Sequence, residues 1–307
     1  MPARRTGSPR GRRLPVLWVA VAGVLAALAG LALGPRWLGG DVRGSDAAGR
    51  HRADGPGTLS VATWNACGVR GWNCEGTGSA EDKRAWIEAL VRESGAGVVL
   101  LQEMCSGDLA SVRTSLGGEW HSLFRPYTAS GKGQGSATTR CEGDGRGTAG
   151  YGMLSAAPLG EVTDVSLPQP AAGMRRSILC AVEQSRSVRI CTTHLNPQRN
   201  GSGSVPVELR ADQLRALVGA AGRRTVFGGD LNTGPPQPGE GGPWARVDGP
   251  YSVYRECDQS AADGPGETHR GGYKIDYLFT DLSRQECSVL RSPASDHWAL
   301  LMRVATG

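Results

Sequence analysis

Asp230 and Asn232 stand two residues apart, just after the apolar run Thr225-Val226-Phe227 and the pair Gly228-Gly229. Positions i and i+2 of an extended chain point the same way. The carboxylate and the carboxamide can therefore face one site, where such a pair suits a water and an anionic oxygen held side by side. A strand that ends in Gly-Gly lets the backbone turn tightly and lets a ligand approach closely. Six more residues share this setting, each following or beginning a predicted strand: Asn65, Glu103, His194, Asp276, Asp296 and His297. Singly, each is an ordinary turn or surface residue. Together they would form one rim of carboxylates, carboxamides and imidazoles.

The elements that position them follow from the apolar periodicity. Leu59 to Asn65 alternates as a strand. Ser79, with Asp82 three residues on, caps a helix over Ala80 to Arg92 whose stripe is Trp86, Ile87, Leu90 and Val91. Gly97 to Leu101 is a continuous apolar strand ending in Gln102-Glu103, and a short helix runs from Asp108 to Leu116. Strands are predicted at Trp120 to Phe124, Tyr151 to Ser155 and Glu161 to Ser166. Residues 128–150, dense in Gly, Ser and Thr, form a long loop. Ile178 to Val182 and Val188 to Thr192 make a hairpin around Ser185-Arg186 that leads to His194. A helix opens at Pro206 and Glu208 and runs to Ala221. Residues 234–250 are loop, and the last strands are Lys274 to Phe279, Glu286 to Leu290 and Trp298 to Val304. Strands broken by a few helices, with polar residues at strand ends, imply two sheets or one sheet with helices packed on it, and one site at the rim.

Charge is uneven. Residues 1–13 carry five arginines and no acid, and Leu14 to Gly34 is 21 residues without a charge. This stretch is either a secretory signal, with Ala27-Leu28-Ala29 as a cleavage site, or a membrane-spanning anchor. The arginines keep the N-terminus in the cytoplasm and send the body out. Residues 35–58 have no apolar period and serve as a flexible linker. From Leu59 onward lie 25 of the 34 basic and 26 of the 29 acidic residues, so the body is nearly neutral and charge alone does not announce a nucleic-acid binder. All eight cysteines (Cys67, Cys74, Cys105, Cys141, Cys180, Cys191, Cys257 and Cys287) lie in the body and none forms a CxxC pair. That disfavours zinc and predicts up to four disulfides in an oxidising compartment. The hairpin sets Cys180 directly opposite Cys191, within disulfide reach.

Six motifs in order then carry a resemblance. They are Thr63-Trp64-Asn65, Leu101-Gln102-Glu103, Thr193-His194-Leu195, Gly229-Asp230-Leu231-Asn232, Ile275-Asp276-Tyr277 and Ser295-Asp296-His297. In this the chain resembles the endonuclease/exonuclease/phosphatase superfamily, with its deoxyribonuclease I-like fold. The resemblance implies an α/β, four-layer α/β/β/α sandwich over residues 59–307, following a basic N-terminus and signal or anchor at 1–34 and the linker at 35–58. It also implies hydrolysis of phosphate esters with Mg²⁺, or with Mn²⁺ or Ca²⁺. Glu103 would be the main metal ligand, with Asn65 and Asp296 near the ion. Asp230 would activate water and Asn232 would hold water or phosphate. His194 and His297 would bond the phosphoryl oxygens, and Asp276 would orient His297. Many members support the first histidine with a carboxylate just before the strand that starts at Tyr151. Here that slot is Gly147-Thr148-Ala149-Gly150, leaving Glu142, Asp144 or no carboxylate at all as the partner of His194.

An exported, monomeric nuclease acting on DNA or RNA is the first expectation. A phospholipid, sphingomyelin-type or other phosphodiester hydrolase is the alternative, suggested by the anchor and by Trp72 and Trp244 in loops, two tryptophans that core packing explains at least as well. A catalytically silent binding protein on the same fold is the reading from another class.

Overall fold

The computed structural model describes residues 54–130, 137–200, 203–237, 242–247, 250–259 and 266–307. The charge-free segment 14–34 and most of the linker lie outside the described residues. Among those described, no helix is long and apolar enough to cross a membrane.

Twelve strands build two six-stranded sheets. They are β1 (Thr58–Asn65), β2 (Val98–Cys105), β3 (His121–Pro126), β4 (Ala149–Ser155), β5 (Leu159–Ser166), β6 (Ser177–Glu183), β7 (Val188–His194), β8 (Thr225–Asp230), β9 (Arg255–Glu256), β10 (Asp276–Thr280), β11 (Ser283–Leu290) and β12 (Ala299–Ala305). The first sheet runs β11-β12-β1-β2-β4-β3 and the second β9-β10-β8-β7-β6-β5. Each has one parallel pair, β1 with β2 and β7 with β8, among antiparallel neighbours. A parallel pair needs a helical crossover. α1 (Ala80–Arg92) joins the first pair and α3 (Val207–Ala221) the second, while α2 (Ser106–Leu116) follows β2 directly. The strand ends that the crossovers leave behind, at Asn65, Glu103, His194 and Asp230, gather on one rim. At the opposite end of β1, Thr58 pairs with Ala305 of β12.

Three apolar layers hold this together. Leu59, Val61, Val98, Leu100 and Met153 of one sheet meet Leu179, Ile190, Val226 and Leu278 of the other. Ile87 and Leu90 of α1 and Leu109 of α2 cover the outer face of the first sheet, against Trp64, Val99 and Leu101. Leu214 and Leu217 of α3 cover the second, with Phe227, Tyr277, Phe279 and Trp244. The result is the α/β/β/α sandwich that the family resemblance implies. α1 carries its predicted cap: Ser79 accepts from the Asp82 N–H, and Asp82 returns a bond to the Ser79 N–H.

All eight cysteines pair, as 67–74, 105–141, 180–191 and 257–287. Cys180 and Cys191 face each other in register, as the hairpin predicts.

Three expectations need correction. Residues 128–150 are not one loop. Residues 128–130 pair with 137–138 and 173–175, and Ala149 already lies in β4. The partner strand lies over 40 residues away, and small polar residues show no period that would reveal it. Trp244 is buried in the core and Trp72 packs against Tyr127, so neither is a free loop aromatic. Finally, the strand at 225 does not turn at the glycines. Gly228 and Gly229 lie inside β8, where a Cβ on Gly228 would sit 1.8 Å from the Tyr277 carbonyl oxygen and one on Gly229 2.1 Å from that of Thr193. Only Gly229 also needs its freedom of φ, at +127°. The glycines let neighbouring strands close up beneath the rim. Because the obstruction is backbone, Gly228→Ala is expected to lower stability by about 3 kcal/mol or more in urea unfolding.

Candidate active site

Each sheet delivers its own half of the rim. In the second sheet His194, Asp230 and Asp276 stand side by side on three adjacent strands, because His194 pairs with Asp230 and Asp230 with Asp276. In the first sheet Asn65 ends β1 beside Gln102. Glu103 then leaves the regular ladder. Its φ is +51° and the β2–β4 register shifts between Leu101 and Met104, a bulge that turns its carboxylate out at the rim. The Gly68 N–H donates to the Glu103 carbonyl at 2.9 Å.

Two buried bonds join the halves. Asn65 Nδ2 donates to Asp230 Oδ2 at 3.0 Å. Gln102 Nε2 donates to Thr63 Oγ1 at 3.1 Å and to Thr192 Oγ1 at 3.0 Å, one threonine from each sheet.

Asp230 is the centre of this network and is 2% exposed. Its Oδ1 accepts the Asn232 N–H at 2.9 Å. His194 Nε2 lies 3.3 Å and His297 Nε2 3.9 Å from its Oδ2. Burial pushes its pKa up, helped by Asp276 and opposed by His297. Asn232 does not extend the strand, as the i, i+2 argument supposed. Its φ is +50°, its backbone N–H holds Asp230, and its side-chain Nδ2 donates to the Leu195 carbonyl at 3.0 Å.

The two rim histidines are both buried, yet one is charged and the other neutral. Burial disfavours a charge on His297, but Asp276, bonded to Nδ1 at 2.9 Å, with Asp230 and Asp296 beyond, raises its pKa to about 10. It is an imidazolium at neutral pH, with Nε2–H directed at Asp230. His194 has no carboxylate behind it. Its Nδ1 meets the Tyr127 hydroxyl at 2.8 Å, and that hydroxyl accepts the Glu103 N–H at 3.2 Å. The hydroxyl proton therefore goes to His194 Nδ1, and the ring is neutral with its proton on Nε2. Burial, then Arg176 and His297, hold its pKa well below the ordinary value. Neither Glu142 nor Asp144 takes the supporting place. Tyr127 does.

Asp296 stands beside both His297 and His269; His269 Nε2 is 3.5 Å from Asp296 Oδ2, and its Nδ1 accepts the Gly271 N–H. Its segment is tied to β1. Ser295 Oγ donates to the Asn65 carbonyl, and Trp64 Nε1 donates to that of His297. Lys83 of α1 braces the neighbouring loops by donating to the carbonyls of Thr77 and Ala294.

The donors at the rim fit a hard cation. Glu103, Asp230, Asp296 and Asn65 all offer oxygen, and the nearby Cys67 and Cys74 are locked in a disulfide. The Glu103 carboxylate, 14% exposed, stands 4.0 Å from His194 Nε2 and 3.7 Å from a disulfide sulfur that has no proton to give. Burial and then the charge of Asp230, against that of His297, raise its pKa to about 7. A divalent ion beside it would offset that unmet charge.

The structure adds Tyr127, Gln102, His269 and Arg176 to the residues found from sequence. Gln102 lay within a recognised motif without a role. The others carry no local signal, since each acts through contacts distant in sequence. Arg176 is 7% exposed, its backbone is clamped by the Gln169 side chain, and its guanidinium carbon lies 5.1 Å from the Tyr127 ring centre. Its Nε and Nη1 are closed off from solvent and have no hydrogen-bond partner among the described residues.

The sequence model of the Endonuclease/Exonuclease/phosphatase family matches residues 62–297. No curated protein matches the chain in sequence. Among solved structures, the human nocturnin catalytic domain with bound sulfate is 16% identical at a TM-score of 0.58, covering 86% of this chain and 100% of that one. D. rerio TDP2 complexed with a single-strand DNA product is 15% identical at 0.55, covering 80% and 98%. An endonuclease/exonuclease/phosphatase from Bacteroides vulgatus is 16% identical at 0.58, covering 81% and 99%. At these identities the likeness is one of fold.

In the metal-free protein, ring ¹⁵N NMR at pH 6.5, the ordinary histidine midpoint, is expected to show His194 neutral and His297 protonated. Tyr127→Phe removes the proton donated to Nδ1, so the Nε2–H form of His194 should lose its dominance while His297 is unmoved.

Proposed function

We propose, for a chain that belongs to the Endonuclease/Exonuclease/phosphatase family of phosphoric ester hydrolases, the finer reading of an exported, divalent-metal-dependent phosphodiesterase with nucleic acid as its first substrate class. The observation that carries it is Asp230: a buried carboxylate held by two donors, with one neutral and one cationic imidazole aimed at it.

Glu103, with Asn65 and Asp296, would hold Mg²⁺, or Mn²⁺ or Ca²⁺ in its place. Such an ion supplies charge neutralisation at a phosphoryl oxygen. The remaining steps fall to the chain's own groups. Asp230 takes the proton of the attacking water, and its raised pKa makes it a better base than an exposed aspartate. The Asn65 and Asn232 N–H groups fix the carboxylate's orientation. His297, kept charged by Asp276, and His194, kept as the Nε2–H form by Tyr127, donate to phosphoryl oxygens as negative charge builds.

Export is supported by the uncharged segment 14–34 and by the pairing of every cysteine. That segment would either anchor the protein or be cleaved to release it. Action as a monomer is supported by the presence of the whole residue set in one chain. The lipid reading loses its aromatic support, since Trp72 and Trp244 pack inward. A silent binder has no need of one neutral and one cationic histidine side by side.

The purified protein should hydrolyse plasmid DNA, RNA or bis-p-nitrophenyl phosphate, lose turnover in EDTA and regain it with Mg²⁺. Asp230→Asn and His297→Ala should each lower kcat about 10²–10⁴-fold with folding intact. Glu103→Gln should raise the Mg²⁺ concentration needed for half-maximal rate. Full activity in the first two variants would overturn the mechanism. Turnover of sphingomyelin alone would move the substrate class to lipid, and no turnover at all would favour the binder.

A further inference from the structure

Beside the rim lies a groove that this mechanism does not use. It is a cavity of about 500 Å³ lined by Arg70, Gly71, Asn73, Glu75 and Arg270. Both walls are indexed to the site. One belongs to the loop whose Cys74 sulfur lies 3.7 Å from Glu103. The other belongs to the turn 269–273, where the Arg270 N–H donates to the Asp296 carbonyl at 2.8 Å. The groove therefore opens beside the carboxylates assigned to the cation. Arg70 and Arg270 are exposed, and among the described residues neither guanidinium is in an ion pair, although Glu142 Oε2 accepts the Arg70 backbone N–H at 3.3 Å. Glu75 is the one acid in the lining, beside two arginines.

The same turn presents Tyr273, whose side chain is 48% exposed. Its ring stacks on His269 at 4.4 Å between centres and 16° between planes. His269 in turn stands edge-on to His297 at 4.8 Å. The tyrosine is thus braced from behind, left open to solvent, and set one ring away from a histidine assigned to the chemistry.

We propose that this groove and Tyr273 bind a single nucleic-acid strand on one side of the scissile phosphate, with Arg70 and Arg270 holding a flanking phosphate and an unstacked base lying on Tyr273. The inference rests on the phosphodiesterase reading above and names its polymer as unpaired DNA or RNA. A base within a duplex is stacked on its neighbours and cannot reach the ring, whereas in a single strand every base has a free π-face to offer. A choline-type headgroup fits poorly, because its cation would lie between two guanidiniums.

The test is fluorescence anisotropy of a labelled single-stranded oligonucleotide of about ten nucleotides, titrated with the full chain in EDTA so that nothing is cleaved. A duplex of the same sequence is the comparison, and kcat/KM with Mg²⁺ on the oligonucleotide and on bis-p-nitrophenyl phosphate is the second readout. The single strand is expected to bind more tightly than the duplex. Tyr273→Leu, which keeps His269 covered, should weaken binding about tenfold without changing its salt dependence. Arg70→Ala and Arg270→Ala should each reduce the slope of log K against log salt by about 1. In all three, the ratio of oligonucleotide to bis-p-nitrophenyl phosphate turnover should fall. Equal affinity for strand and duplex, or wild-type binding by the variants, overturns the proposal. Hydrolysis of the small diester without strand binding overturns the groove and leaves the hydrolase standing. Strand binding through these residues without any hydrolysis overturns the mechanism and leaves the groove.

Discussion

The site exists only because two sheets are held with their rims level, and Gln102 sets that level. Its amide reaches a threonine hydroxyl on each sheet, directly beneath the place where Asn65 bonds Asp230. These bonds lie where no water can replace them, so each lost partner would leave a buried polar group at a cost of about 1–3 kcal/mol. The apolar layer between the sheets gives most of the stability and little of the alignment, because apolar contact is non-directional. A small slide of one sheet over the other would keep Val61 and Ile190 buried. It would part Asn65 from Asp230, and with that the cation side of the rim from the side that handles the proton.

The same division explains how two buried imidazoles come to differ. Burial works against charge at both His194 and His297. What separates them is the group behind Nδ1, a carboxylate at His297 and a phenol at His194. The phenol is itself oriented by the N–H of Glu103, so the bulge that turns out the carboxylate also sets the proton of the neighbouring ring. One backbone irregularity at φ +51° thereby fixes two functional groups.

Much of this was legible in the sequence, for a physical reason. Strands buried on both faces, such as β2 and β8, announce themselves as unbroken apolar runs, and polar residues at their ends stand out. That is why Asn65, Glu103, His194 and Asp230 could be found. The partner of Cys180 was legible because a hairpin's register is local. Tyr127, Arg176 and His269 were not. Tyr127 meets a histidine 67 residues away, and nothing near it in the chain hints at that. The pair Gly228-Gly229 misled for the same reason: the backbones that require them belong to β7 and β10, far off in sequence. Asn232 was found for its side chain and contributes its backbone.

The pairing of Thr58 with Ala305 has a consequence for how the protein meets its surroundings. The chain enters the body at the foot of β1, and the rim lies at its head. Seven residues of strand separate them, about 23 Å at ~3.3 Å per residue. Whatever precedes Thr58 is joined on the far side from the chemistry. An attachment at that end, or at the neighbouring Ala305, loads the end of the sandwich that carries none of the site residues.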